Sequence, residues 1–184
     1  MQARARCAPV TVTLLLATMP CRAVPAGAHE AAIGERLPQE MLRGLNGPTL
    51  ALAAFRGRPL IINVWASWCG PCRQEMASLE RLAWRNEGRD FAIIGISTDD
   101  DAQQALALLQ ATHATISHFI DVRQQMEGVL GASRIPVTVL VDARGRLLAR
   151  IYGAQQWDGQ PALQLLRDTF VLHKLGETGA AVLP

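Results

Sequence analysis

The chain has 184 residues, a length that suits one domain, and 49% of them are apolar, the ordinary share for a globular core. Its formal charge of +2 comes from 17 Arg and one Lys against 16 acidic residues, with no block of like charge, which argues against a nucleic-acid surface. No internal repeat or low-complexity tract appears, so solenoid and linker-like readings are set aside.

The first 28 residues read as an export signal. Arg4 and Arg6 give a positive start, Val10 to Met19 a short apolar stretch, and Ala26-Gly27-Ala28 a small-x-small cleavage site before His29. About 20 apolar residues are needed to span a bilayer, so this stretch is too short for a spanning helix, with an uncleaved anchor kept as the alternative reading. Pro20 directly before Cys21 argues against lipid attachment at that cysteine. Removing residues 1–28 takes away three Arg and no acid, which moves the formal charge from +2 to −1. It also removes Cys7 and Cys21, leaving Cys69 and Cys72 as the cysteines of the mature chain.

His29 to Met41 reads as an irregular lead broken by Gly34 and Pro38. Asn46-Gly47-Pro48 is a turn, and Thr49 to Leu52 an added edge strand. Leu60 to Trp65 has the length and β-branching of a buried strand. Ala66-Ser67-Trp68 leads from it into Cys69-Gly70-Pro71-Cys72, and Met76, Leu79 and Ala83 then recur at helical steps to an end near Asn86-Glu87-Gly88. Phe91 to Ser97 is a second buried, parallel strand, and Asp99-Asp100-Asp101 caps a helix over Ala102 to Ala111. His118 to Asp121 is a short strand and Gln124 to Leu130 a short helix. Val137 to Val141 and Leu147 to Tyr152, joined by Asp142-Ala143-Arg144-Gly145, form an antiparallel hairpin. Pro161 to Lys174 is the closing helix; one domain then covers 29–175 and a loose tail 176–184. The order of elements gives an α/β fold, a mixed sheet with helices on both faces and right-handed crossovers.

The chemistry centres on Cys69 and Cys72. Three readings compete: a structural disulfide, half a zinc site, or a redox couple. Zinc needs four ligands, and no second cysteine pair or spaced histidine pair accompanies this one; His113 and His118 stand alone. A bridge closing so short a loop gains little from loop entropy. Placement between a strand and a helix favours the redox couple. Pro71 suits a first helical position, so Cys69 falls just before a helix N-terminus, where unpaired N–H groups lower a thiol's pKa from about 8.5 to about 7 or below. Cys69 lies at the exposed mouth of the turn and is the expected nucleophile; Cys72, one turn on, is the resolving thiol.

NVWASWCGPC resembles the active-site segment of the thioredoxin superfamily, and with Arg73-Gln74-Glu75-Met76 it resembles the TlpA/ResA branch, over roughly residues 33 to 170. The resemblance implies a thioredoxin fold with an N-terminal β-hairpin, and a thiol-disulfide oxidoreductase that needs no cofactor. It implies that Glu75, on the face of Cys72, assists proton transfer to and from that thiol. Asn63 stands where ordinary thioredoxins carry a buried aspartate, which leaves Glu75 as the acid for that task. It implies a cis peptide at Ile135-Pro136 beside the cysteines, where the backbone pairs with an extended substrate. Val137 then departs from the threonine usual in the branch. Trp68, Gly70, Pro71, Ile135 and Pro136 are the expected substrate contacts, with Trp68 exposed and Trp65 in the core. The run Asp99–Asp101 is expected only to cap its helix, and His113 and His118 to have no part in the chemistry.

The function expected is an exported, monomeric protein disulfide reductase, since Gly70-Pro71 is the dipeptide of reducing thioredoxins. Its partners would be protein disulfides or cysteine pairs, and a membrane-embedded thiol reductant as electron donor. Apocytochrome c thiols, oxidase copper-site cysteines and general rescue remain open as clients. Two rivals are weaker. A thiol peroxidase would need a Pro-x-x-x-Thr/Ser-x-x-Cys loop, which is missing, and a redox-gated binding protein would show a damaged motif, whereas this one is intact.

Overall fold

The apolar runs of the sequence become the middle of one seven-stranded sheet in a computed structural model that describes residues 29–86 and 88–179, with side chains of the closing helix as far as Val171. The elements are β1 (Met41–Gly44), β2 (Leu50–Ala51), β3 (Leu60–Trp65), α1 (Gly70–Asn86), β4 (Ala92–Ser97), α2 (Ala102–Ala111), β5 (Ser117–Ile120), α3 (Gln125–Leu130), β6 (Val137–Val141), β7 (Leu147–Tyr152) and α4 (Gln160–Gly179). Across the sheet the order is β2-β1-β5-β4-β3-β6-β7. Strands β3, β4 and β5 are parallel, which requires the crossovers α1 and α2; β6, β7, β1 and β2 run antiparallel to their neighbours.

Every residue of β3, β4 and β6 is buried, because both faces of these strands are covered. One face sets Ile62, Val64, Ile94, Ile96, Val137 and Val139 against Met126 and Leu130 of α3. The other sets Ile61 and Leu140 against Leu79 and Leu82 of α1 and Leu166 of α4, with Trp65 beside Met76 of α1 and Ala105 and Leu109 of α2. Each such Ile or Leu contributes about 1.5–3 kcal/mol, so the central strands hold most of the stability. On this second face, register aligns a polar row across four strands: Thr138 of β6, Asn63 of β3, Gly95 of β4 and His118 of β5.

The N-terminal segment meets both outer strands of the core. Gly34 N donates to Leu147 O, Leu147 N donates to Glu35 O, and Arg36 bridges Arg146, all at the start of β7. The chain then crosses to pair β1 with β5 at Arg43–Ile120 and Gly44–Phe119. The expected hairpin is present, though its first strand begins at Met41, inside the stretch read as irregular. The turn at Asp142–Gly145 forms as read: the Asp142 carboxylate accepts from Arg144 N and Arg146 N, and Gly145 adopts φ +83°.

Two expectations need correction. The closing helix continues to Gly179, so residues 176–179 are helical and not tail; one Gly within a helix costs only about 1 kcal/mol and need not stop it. The run Asp99–Asp101 divides its labour: Asp101 alone caps α2, accepting from Gln103 N, while Asp99 is buried elsewhere. The export signal and residues 180–184 lie outside the described residues. Among the described residues, no helix is long and apolar enough to cross a membrane.

Candidate active site

The end of β3 delivers the chain into a tight turn, with Cys69 N donating to Ala66 O at 3.1 Å, and α1 starts at Gly70. Pro71 is thus the second helical residue, still among the positions whose N–H has no intrahelical partner. Cys69 and Cys72 are joined, S–S 2.04 Å, and Cys72 N also donates to Cys69 Sγ at 3.2 Å. A first-turn N–H aimed at this sulfur stabilises negative charge there once the bond opens. Cys72 is fully buried and Cys69 only 5% exposed. The mouth of the turn is therefore narrower than the sequence suggested, although Cys69 remains the more accessible of the two.

Asp99 fixes this turn. Its carboxylate accepts from Ser67 N (2.9 Å), Ser67 Oγ (2.7 Å) and Ser97 Oγ (2.7 Å), tying the loop before α1 to the end of β4. Thr98 N donates to Trp65 O at 2.9 Å and extends the same seam. No local pattern announces this role, because Ser67 and Asp99 meet only once β3 and β4 pair. Trp68 projects beside Cys69 with 67% of its surface exposed, as expected, and Trp65 is buried.

Ile135-Pro136 is cis, as the resemblance implied. Ile135 packs in the cluster that contains Cys69, Cys72 and Met76, so the structure does bring the proline segment to the dithiol. It stands just before β6, outside the ladder, while Pro136 O accepts from Gly153 N. Arg134 lies 4.5 Å from the ring centroid of Tyr152 and adds a cation to this rim.

Glu75 is 2% exposed, between α1 and the sheet. Oε1 accepts from Asn63 Nδ2 at 2.6 Å; Oε2 accepts from Gln155 N at 3.0 Å and Trp157 Nε1 at 3.2 Å. Burial raises its pKa above the ordinary carboxylate value, and the three donors only partly offset this. It lies one turn beyond Cys72 on the same helix face. Gln155, Trp157 and Thr138, which accepts from Asn63 at 3.1 Å, were not foreseen, since each lies 75 or more residues along the chain from the group it bonds. His118 is core: 2% exposed, edge-on to Trp65, its pKa lowered by burial to about 4.

A strand-to-helix dithiol, a cis proline beside it and a buried carboxylate one turn on define a thiol-exchange site. The sequence profile of the family described as Redoxin matches residues 32–166. The chain belongs to the redoxin family. This redoxin is 32% identical over 152 residues to the thiol:disulfide interchange protein DsbE of Pseudomonas fluorescens biotype C, covering 79% of this chain and 82% of that one. It is 25% identical over 130 residues to the thiol-disulfide oxidoreductase ResA of Bacillus thuringiensis strain Al Hakam, covering 71% and 75%. A crystal structure of a candidate DsbE from Chlorobium tepidum superposes with a TM-score of 0.70 at 23% identity, over 76% of this chain and 99% of that one. The fold is the thioredoxin fold, and the redoxin is a thiol-disulfide oxidoreductase of the ResA/DsbE type.

Proposed function

We propose that this redoxin is an exported protein disulfide reductase whose nucleophile is Cys69. The observation that carries the reading is the Cys72 N–H directed at Cys69 Sγ at a helix start. The Cys69 thiolate attacks one sulfur of a client disulfide; a Cys69–client bond forms and the client's other sulfur leaves as thiolate. Cys72, losing its proton to Glu75, then attacks Cys69 Sγ, releasing the second client thiol and closing Cys69–Cys72. Two electrons pass to the client, and a membrane-embedded dithiol returns them. Trp68, Gly70 and Pro71 meet the client beside the disulfide, and the backbone of Ile135, before cis-Pro136, pairs with its extended chain.

The raised pKa of Glu75 supports its part, because a carboxyl that titrates nearer neutrality exchanges protons with a thiol more readily. The short apolar stretch before Ala26-Gly27-Ala28 supports export, and residues 1–28 are the segment removed. The clients are exported proteins with cysteine pairs, such as apocytochrome c thiols or oxidase copper-site cysteines.

A Cys72→Ser variant tests the order of attack. It is expected to accumulate mixed disulfides through Cys69, and recovery of none would sink the assignment. The reduction potential tests direction: a value near −270 mV, about that of thioredoxin, is expected, and one near −120 mV, about that of the strong periplasmic oxidant, would make the protein a disulfide donor.

A further inference from the structure

The amide of Asn63 is buried and only half used. Nδ2 donates to Glu75 Oε1 and Thr138 Oγ1, while Oδ1 has no partner among the described residues. With its nitrogen turned to α1 and β6, a planar amide leaves its oxygen for the β4 side. There the register places Gly95, and beyond it His118. A Cβ on Gly95 would lie 2.1 Å from His118 Nδ1 and 2.9 Å from Trp65 Nε1, so both side chains converge on the face that the glycine leaves bare. Trp65 Nε1 and both His118 nitrogens are likewise buried without a partner. Buried polar atoms are nearly always paired, and four unpaired ones around Gly95 call for a cause.

Glu75 has the complementary need. Its three partners, Asn63 Nδ2, Gln155 N and Trp157 Nε1, are all donors and suit a carboxylate. A protonated Glu75 must instead give its O–H to an acceptor, and Asn63 carries a free one on the far side of its own amide.

We propose that Asn63 is a positioning residue that turns its amide with the proton on Glu75, offering Nδ2 to the carboxylate and, after a half-turn about χ2, Oδ1 to the acid. The inference rests on the proton role of Glu75 proposed above. In the turned state Thr138 donates its hydroxyl to Oδ1, and Nδ2 swings to the Gly95 side, where a nitrogen of neutral His118 accepts. In the unturned state Oδ1 faces the side of the Trp65 N–H. The row thus offers the turned amide an acceptor, while in the unturned state Oδ1 and the Trp65 N–H stay unpaired. The groups that face Glu75 are Asn63 from β3, Gln155 and Trp157 from the segment after β7, and Cys72 on its own helix; none of the influences on its pKa is another charge.

The test is NMR on the oxidised protein, in which neither cysteine titrates. The Glu75 carboxyl carbon reports its protonation, and NOEs from the Asn63 side-chain NH2 report the amide. On lowering the pH, these NOEs are expected to pass from the Thr138 methyl to the His118 ring with the midpoint of Glu75. A His118→Phe variant, lacking the acceptor, is expected to lower that midpoint by about one pH unit, the size of one neutral hydrogen bond, and His118→Gln to restore it. NOEs that stay on Thr138 while Glu75 titrates would overturn the turning. The proton role is read separately, from the pH profile of client reduction in Glu75→Gln. Fixed NOEs with an altered profile would remove the turning alone; moving NOEs with an unaltered profile would remove the proton role alone.

Discussion

Two carboxylates, Asp99 and Glu75, are equally buried at 2% exposure near the dithiol, and they have different partners. Asp99 is held by one backbone N–H and two serine hydroxyls, all from segments that end at the active-site turn. Its bonds join two neighbouring stretches of backbone and fix where Cys69 stands. Glu75 is held by the Asn63 amide, a backbone N–H and an indole N–H, from β3 and the segment after β7, on the helix face of Cys72. Burial alone does not separate a structural carboxyl from a chemical one. The partner set and the distance along the helix to the thiol are what favour the proton role proposed for Glu75.

The sharpest break in this comparison is Asp99→Ala. It strands Ser67 N and two hydroxyls, and bonds to a charged group carry about 1.5–3 kcal/mol each, so a loss of about 4 kcal/mol in urea unfolding is expected. A loss below about 1 kcal/mol would show that the turn holds without its brace.

His118 contributes a pH dependence of nearly that size. Its pKa falls from 6.5 to about 4 on folding, so the unfolded chain takes up the proton first as pH drops. The stabilising effect is full above about 6.5 and is lost towards pH 4, amounting to about 3 kcal/mol. In His118→Phe, stability between those pH values is expected to lose this slope, as read from unfolding midpoints across the range.

Glu75→Gln should do the reverse of Asp99→Ala, with little change in stability near neutral pH but slower chemistry. Loss of a positioned proton acceptor lowers rates by about 10²-fold or more, and stopped-flow release of the mixed disulfide reads the Cys72 step directly. Since folding raises the pKa of Glu75, its stabilising contribution is present below the ordinary value of 4.5 and declines as pH rises through the folded value. The Gln variant should lack that decline.

The sequence made some of this legible and hid the rest for physical reasons. Strands β6 and β7 and helix α2 fall on the residues their periodicity marked, because period, turn chemistry and capping are local properties. The placement of Cys69, Cys72 and Glu75 together at one helix start was legible because one helical turn links them. Asp99 was misread because its partners Ser67 and Ser97 come together only when parallel strands pair, and its neighbour Asp101 supplies the cap read for the whole run. His118 is core, one of the two places the sequence left open for it, and nothing near it in sequence shows that Gly95 leaves it room. The closing helix outran its reading because Gly176 weakens a helix without ending it.

The N-terminal segment that touches β7 at Leu147 and β5 at Phe119–Ile120 has a bearing on assembly. Open strand edges recruit other chains, and a sheet is most exposed to that hazard before it is finished. Here the residues that cover the margins are synthesised ahead of every strand they cover. When β5 and β7 take their places, the segment that pairs with β5 and with the start of β7 is already at hand.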